Sequence, residues 1–264
     1  MQSKTISASR GIMPQDRIHN FGAGPAVLPL SVVEECRPEL PNLNGRGFGL
    51  LQVSHRSQVF QDVVDSAMAG LRRVLGVPED YTVLFLQGGA SLQFYMTALN
   101  LLASGEQADY LTTGGWSEKA LKEAQRVGDA ISAWDPSEGA FKTVPKNGDY
   151  SIRQDAVYVH YTSNNTLYGT QYHHLPDSGG KPLILDASSD IAGVPIDISA
   201  HDLVYAGAQK NLGPSGVTVV ILSPWALSKV GDGIPTMLDY SVHASKGSLF
   251  NTPNTFGIFV LDRV

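Results

Sequence analysis

Pro182–Leu222, PLILDASSDIAGVPIDISAHDLVYAGAQKNLGPSGVTVVIL, is the stretch whose reading decides the fold. It holds three short apolar runs. Leu183–Leu185 ends on Asp186, Leu203–Ala206 leads into Gly207-Ala208-Gln209-Lys210, and Val217–Leu222 follows a turn rich in Gly and Pro. Each run has strand length and is bounded by breakers, so each reads as a buried strand. In open α/β sheets, ligands bind outside the carboxyl ends of the strands. Asp186 and Lys210 therefore stand where a ligand is expected.

A lysine and a carboxylate so placed suit pyridoxal phosphate chemistry. The amine condenses with the cofactor aldehyde, and the carboxylate keeps the pyridine nitrogen protonated, so that the ring can accept electrons. Each residue alone also fits a plainer role, Asp186 as a helix cap and Lys210 as a solvated surface group. The small residues around Lys210, Ala-Gly-Ala-Gln before it and Asn-Leu-Gly-Pro-Ser-Gly after it, favour the cofactor. They let a flat ring approach the backbone closely.

Outward from this stretch, apolar strands alternate with amphipathic helices. Tyr81–Leu86, Ala108–Thr112, Ala130–Ala133 and Ala156–Tyr161 read as strands. Gln58–Leu75 reads as a helix with Val59, Phe60, Val63, Val64, Ala67 and Leu71 on one face. Further helices are expected over Leu92–Leu102 and Ser117–Val127, with shorter ones near Pro29–Leu40 and Pro224–Lys229. Asp135–Tyr150 reads as loop or hairpin. The alternation predicts an α/β fold with a mostly parallel central sheet flanked by helices. Gly88–Ser91, Trp116, Thr166, Asp186 and Lys210 then all follow strands and converge on one edge of the sheet. The turn Gln87-Gly88-Gly89-Ala90-Ser91 into a helix suits a phosphate. Trp116 suits a ring contact. Thr162–Gly169 offers hydroxyls and amides to a polar ring substituent. His160, inside an apolar strand, reads as a core histidine, and the adjacent His173 and His174 lack a third ligand nearby.

Composition sets outer bounds. With 264 residues the chain can bury a large core. A net charge of −6 without a basic patch interleaved with aromatics argues against nucleic acid as a partner. No apolar run reaches membrane-spanning length. The single cysteine, Cys36, excludes an internal disulfide and a cysteine-based zinc site, and fits a reducing compartment such as the cytoplasm. Residues 1–19 read as a flexible segment that faintly resembles an organelle transit peptide.

The motifs as a set resemble the phosphoserine aminotransferases, fold-type I, class-V pyridoxal phosphate enzymes. They are Asn20–Ala26 with Leu28-Pro29, Val53–Ser57, Phe85–Phe94, Thr113–Ser117, Asn165-Thr166, Asp186–Ser189, Tyr205–Asn211 and Leu249–Pro253, in family order. The resemblance implies transamination between L-glutamate and 3-phosphooxypyruvate, giving O-phospho-L-serine and 2-oxoglutarate, in serine and also pyridoxine biosynthesis. It implies that Lys210 carries pyridoxal 5'-phosphate and moves the substrate proton, that Asp186 pairs with the ring nitrogen, and that Trp116 stacks on the ring. Thr166 would bond the ring hydroxyl side, and Ala90, Ser91 and Gln209 would hold the phosphate. Asn251 and Thr252 would reach the phosphate in a neighbouring subunit of a homodimer, and His55 and Arg56 would face the substrate.

Ala90-Ser91 stands where some members have Gly-Arg, a variant that other members share. The family continues past Gly257–Val264 into a small C-terminal domain that supplies a His-Arg pair and a further arginine to the substrate. Residues 20–264 are thus expected to form the cofactor-binding large domain without that small one, with a complete cofactor site and an incomplete substrate site. A non-catalytic cofactor-binding protein, an aminotransferase for a non-phosphorylated substrate and a desulfurase using Cys36 are the competing readings.

Overall fold

The computed structural model describes residues 17–134, 136 and 141–264. Most of the segment read as flexible, and part of Asp135–Tyr150, lie outside the described residues. Seven strands form one sheet: β1 (Thr82–Leu86), β2 (Gln107–Leu111), β3 (Asp129–Trp134), β4 (Ala156–Thr162), β7 (Leu183–Asp186), β8 (Leu203–Gly207) and β9 (Thr218–Leu222). Their order is β1-β9-β8-β7-β4-β2-β3. A two-residue pair, β5 (Asn164–Asn165) and β6 (Thr170–Gln171), forms a separate ribbon just past β4. Only β9 runs against its neighbours, pairing antiparallel with both β1 and β8. The other six strands therefore point the same way, and their carboxyl ends share one edge.

The strands alternate between two buried faces, as a sheet covered on both sides requires. In β8, Val204 and Ala206 enter one core, and Leu203 and Tyr205 the other. The first core is closed by α1 (Leu30–Cys36), α2 (Gln58–Leu75) and α7 (Thr255–Arg263). The second is closed by α3 (Gly89–Leu101) and α4 (Gly115–Ala124), with the short α5 (Pro224–Ser228) and α6 (Tyr240–Ser245). Helix α2 spans the residues its sequence predicts. Ser57 Oγ accepts from the Phe60 N–H at its start, and Gly76 ends it in the left-handed conformation at φ 64°. Phe60, Val63, Val64, Ala67 and Leu71 are its buried face.

Several boundaries differ from the sequence reading, and those of α3, α4 and β4 bear on the site. Helix α3 starts at Gly89 rather than Leu92, so Ala90 and Ser91 lie in its first turn. Helix α4 starts at Gly115, two residues before Ser117, and ends at Ala124. Strand β4 runs on to Thr162, because its backbone pairs with β7 as far as Asp186. Among the described residues no strand lies between Trp134 and Ala156. His160 is buried, its Nε2 2.9 Å from the Tyr205 hydroxyl. No helix among the described residues is long and apolar enough to cross a membrane.

Candidate active site

The carboxyl ends of β1, β2, β4, β7 and β8 open onto one cavity. Gly89, Ala90, Ser91, Phe94, Trp116, Thr162, Asn164, Asp186, Ser188, Ser189, Gln209 and Lys210 line it. Its floor at β1 is built by glycine. Gly88, the residue before α3, has φ 88°, a backbone that side chains resist, and a Cβ there would lie 2.5 Å from the Leu92 side chain. Gly89, Ala90 and Ser91, the first turn of α3, line the cavity, and the first N–H groups of a helix have no intrahelical acceptor.

Trp116 is held by its neighbour across the sheet edge. Asn165, fully buried, accepts from the backbone N–H groups of Trp116 and Ser117 at 3.3 and 3.4 Å. Its amide donates to Thr113 Oγ1 at 2.8 Å. A Cβ at Gly114 would lie 2.5 Å from the Asn165 side chain, so glycine is what allows this clamp. The indole Nε1 of Trp116 is buried without a hydrogen-bond partner.

Lys210 follows β8, at the centre of a hydroxyl cluster. Its Nζ donates to Thr166 Oγ1 at 2.5 Å and to Ser189 Oγ at 2.6 Å, and these two hydroxyls are themselves 2.6 Å apart. Burial lowers the lysine pKa below its ordinary value, against the pull of the nearby Asp186 and Asp190 carboxylates. The Ala26 N–H donates to the Gln209 carbonyl at 2.7 Å and ties the N-terminal segment beside the lysine.

Asp186 ends β7 and is 3% exposed. Burial pushes its carboxyl up to about 6, while Ser188 and the charge of Lys210 pull it down. The Ser188 N–H donates to Oδ1 at 3.0 Å. Asp190, raised by burial, accepts from Ser163 Oγ at 2.5 Å and from Gln171 Nε2 at 3.3 Å. A buried carboxylate with no direct cationic partner calls for a cationic ligand group.

Of the residues expected from the sequence, Ala90, Ser91, Trp116, Asp186, Gln209 and Lys210 line the cavity, and Thr166 meets it through its bond to Lys210. Asn251 and Thr252 do not line it. They lie at the end of β1, where Gln87 Nε2 donates to the Thr252 carbonyl at 3.2 Å. His55 and Arg56 do not line it either. They precede α2, where Arg56 is exposed and His55 Nε2 is buried without a partner. Sequence reasoning assigned no role to Ser188, Ser189 and Phe94, and offered Thr162 and Asn164 only as part of the polar Thr162–Gly169 run. The two serines stood in plain view beside Asp186, whereas Thr162 reads as loop until its pairing with β7 is known.

The donor set fits pyridoxal phosphate. It combines a half-buried lysine, a carboxylate for a ring nitrogen, an indole at the wall and free N–H groups for a phosphate. Trp116 Nε1 and Thr162 Oγ1 are two buried polar atoms left unpaired in its wall.

Comparison with known proteins agrees. The family model for aminotransferase class-V matches residues 18–264. The phosphoserine aminotransferase of Lysinibacillus sphaericus is 48% identical over 248 residues, which cover 94% of this chain and 68% of that protein. The crystallised phosphoserine aminotransferase of Bacillus circulans subsp. alkalophilus superposes with a TM-score of 0.90 at 45% identity, over 94% of this chain and 69% of that one. A phosphoserine aminotransferase of Trichomonas vaginalis solved with pyridoxal phosphate bound does so at 0.88 and 34% identity, over 93% and 69%. The shared fold, the strand-end cavity around Lys210 and these relatives agree on one assignment: the chain belongs to the class-V aminotransferase family.

Proposed function

We propose that the chain is a pyridoxal phosphate-dependent transaminase acting between L-glutamate and 3-phosphooxypyruvate, with O-phospho-L-serine and 2-oxoglutarate as products. The observation that carries the reading is the convergence of Lys210, Asp186 and Trp116 on one cavity at the carboxyl ends of parallel strands. Relatives named phosphoserine aminotransferase, 48% identical in the case of L. sphaericus, support the substrate pair. When bound, the cofactor supplies an aldehyde for the amine and an electron-accepting ring.

The roles of the chain's own residues follow from the site. Lys210 Nζ binds the cofactor and, once free, takes and returns the proton at the substrate Cα. Burial favours the neutral amine that this task needs. Asp186 holds the ring nitrogen in its protonated form by charge and hydrogen bond. Trp116 covers one ring face and excludes water. Thr166 orients the ring hydroxyl side, and Ala90, Ser91 and Gln209 hold the phosphate at the first turn of α3. His55 and Arg56 receive the substrate, the guanidinium being suited to a carboxylate or phosphate. The assembly is a homodimer in which Asn251 and Thr252 serve the partner's cofactor phosphate. Exposed Phe250, beside them, and Leu167 and Tyr168, near the cavity, are apolar surface that a second copy would cover. The compartment in this reading is the cytoplasm, and residues 20–264 act as the cofactor-binding domain.

One observation favours a second reading. Lys210 is the only cationic side chain among the described residues lining the cavity, so the substrate's anionic groups have no guanidinium there. A protein that binds the cofactor without turning over would look the same. The test is the visible spectrum of the protein loaded with pyridoxal phosphate, before and after O-phospho-L-serine, with L-serine as control. Conversion to the pyridoxamine spectrum by phosphoserine alone supports the transaminase. A lysine-dependent band that phosphoserine leaves unchanged supports the second reading.

A further inference from the structure

Three central strands carry a row of polar residues beneath the cavity. Thr162 of β4 is in register with Asp186 of β7, and Asp186 with Tyr205 of β8. Residues in register share a face, on strands about 4.8 Å apart, so the side chains of the row are neighbours. Two of the three are engaged. The Tyr205 hydroxyl is spent on His160 Nε2, and Asp186 accepts from the Ser188 N–H. Thr162 is 3% exposed and lines the cavity, yet its Oγ1 is buried and has no partner. A buried hydroxyl left unpaired is costly, and such an exception calls for an explanation.

We propose that Thr162 is a positioning residue for Asp186. With the cofactor in the cavity, its hydroxyl donates to the Asp186 carboxylate, holding it ionised and turned toward the ring nitrogen. This rests on the reading of the cavity as a pyridoxal phosphate site. Ser188, in the turn after β7, already donates to Asp186 and favours its ionised form, so Thr162 would add a second neutral donor from the β4 side. Asp190, in the turn after β7, is an anion and opposes ionisation. Tyr205 on β8 has committed its hydroxyl. His160, two residues before Thr162 on β4, is driven by burial to a pKa of about 3 and stays neutral. Lys210 is the only cation among them, and its charge depends on the state of its amine. Thr162 offers a donor independent of that state, and a hydrogen bond to the ionised form favours it.

The test compares Thr162→Val, which keeps the shape and loses the hydroxyl, with Thr162→Ser, which keeps the hydroxyl. Thr162→Ala is a second hydroxyl-free variant should the valine fail to fold. Three quantities are read: pyridoxal phosphate affinity, the pH dependence of the bound cofactor's visible spectrum, and the Tm of the cofactor-free protein. The valine variant is expected to bind pyridoxal phosphate roughly tenfold more weakly, as the loss of a hydrogen bond to a charged group implies. Its acid spectral transition is expected to move to higher pH, while its cofactor-free Tm holds or rises. The serine variant is expected to restore both affinity and transition. Unchanged affinity and pH profile in the valine variant overturn the proposal, as does a serine variant that behaves like valine. Absence of any Lys210-dependent band in the wild-type protein overturns the cavity reading itself, and this proposal with it.

Discussion

Lys210 Nζ and Ser189 Oγ lie 2.6 Å apart, joining the turns that follow two neighbouring parallel strands. Neither turn could place the contact alone. The register of β7 against β8 puts Asp186 opposite Tyr205, and the residues that follow each strand then meet above the sheet edge. Thr166 closes the cluster from the β4 side.

That cluster controls the lysine. Ser189 and Thr166 accept from the ammonium and so favour the charged form. Ser189→Ala removes one acceptor and leaves the burial. The rate of pyridoxal phosphate uptake, followed against pH, is expected to shift toward lower pH, since the neutral amine reacts. A profile that stays in place would show that the serine does not tune the amine.

Asp186 has a consequence for the cofactor-free protein. Its carboxyl is raised from 3.8 to about 6, chiefly by burial. The folded state therefore holds a proton that the unfolded state releases between about pH 4 and pH 6. Stability from this group is full below the unfolded value and falls as pH rises to about 6, then levels off. Asp186→Asn is expected to flatten that part of the Tm–pH curve and to weaken pyridoxal phosphate binding by about tenfold or more. Parallel curves for variant and wild type would contradict this.

Gly88 has no tolerable replacement. Alanine at φ 88° is strained, and its Cβ would also stand 2.6 Å from the Leu92 Cβ, which rotation cannot move away. Gly88→Ala is expected to cost about 1–3 kcal/mol in urea unfolding and to reduce cofactor affinity by displacing the start of α3.

Asn165 fixes the indole. Asn165→Ala leaves the N–H groups of Trp116 and Ser117 and the Thr113 hydroxyl short of partners in a buried setting. The expected loss is about 1–3 kcal/mol of stability, with weaker quenching of tryptophan fluorescence by bound pyridoxal phosphate. Full quenching at wild-type affinity would show that Trp116 holds its place without the clamp.

The fold was legible wherever local chemistry and periodicity agreed. Ser57 and Gly76 punctuate α2, and its apolar face repeats at helical spacing, so both ends could be read. The strands of Pro182–Leu222 are apolar runs between breakers, and their ends located Asp186 and Lys210. The start of α3 was not legible, because Gly88-Gly89 reads as a turn and the helix begins within it. The place of Thr162 in the strand escaped for a different reason. That threonine opens a run of polar residues that looks like loop, and only pairing with β7, more than twenty residues on, keeps it in the strand. Asn251, Thr252, His55 and Arg56 were named by resemblance alone, and none of them lines the cavity.

The central claim is that Lys210 is the amine that holds the cofactor. Borohydride reduction of the pyridoxal phosphate-loaded protein, followed by peptide mass spectrometry, tests it most directly. The expected result is one phosphopyridoxyl adduct on Lys210, absent from Lys210→Ala. An adduct on another lysine, or none on a protein that binds the cofactor, would contradict it.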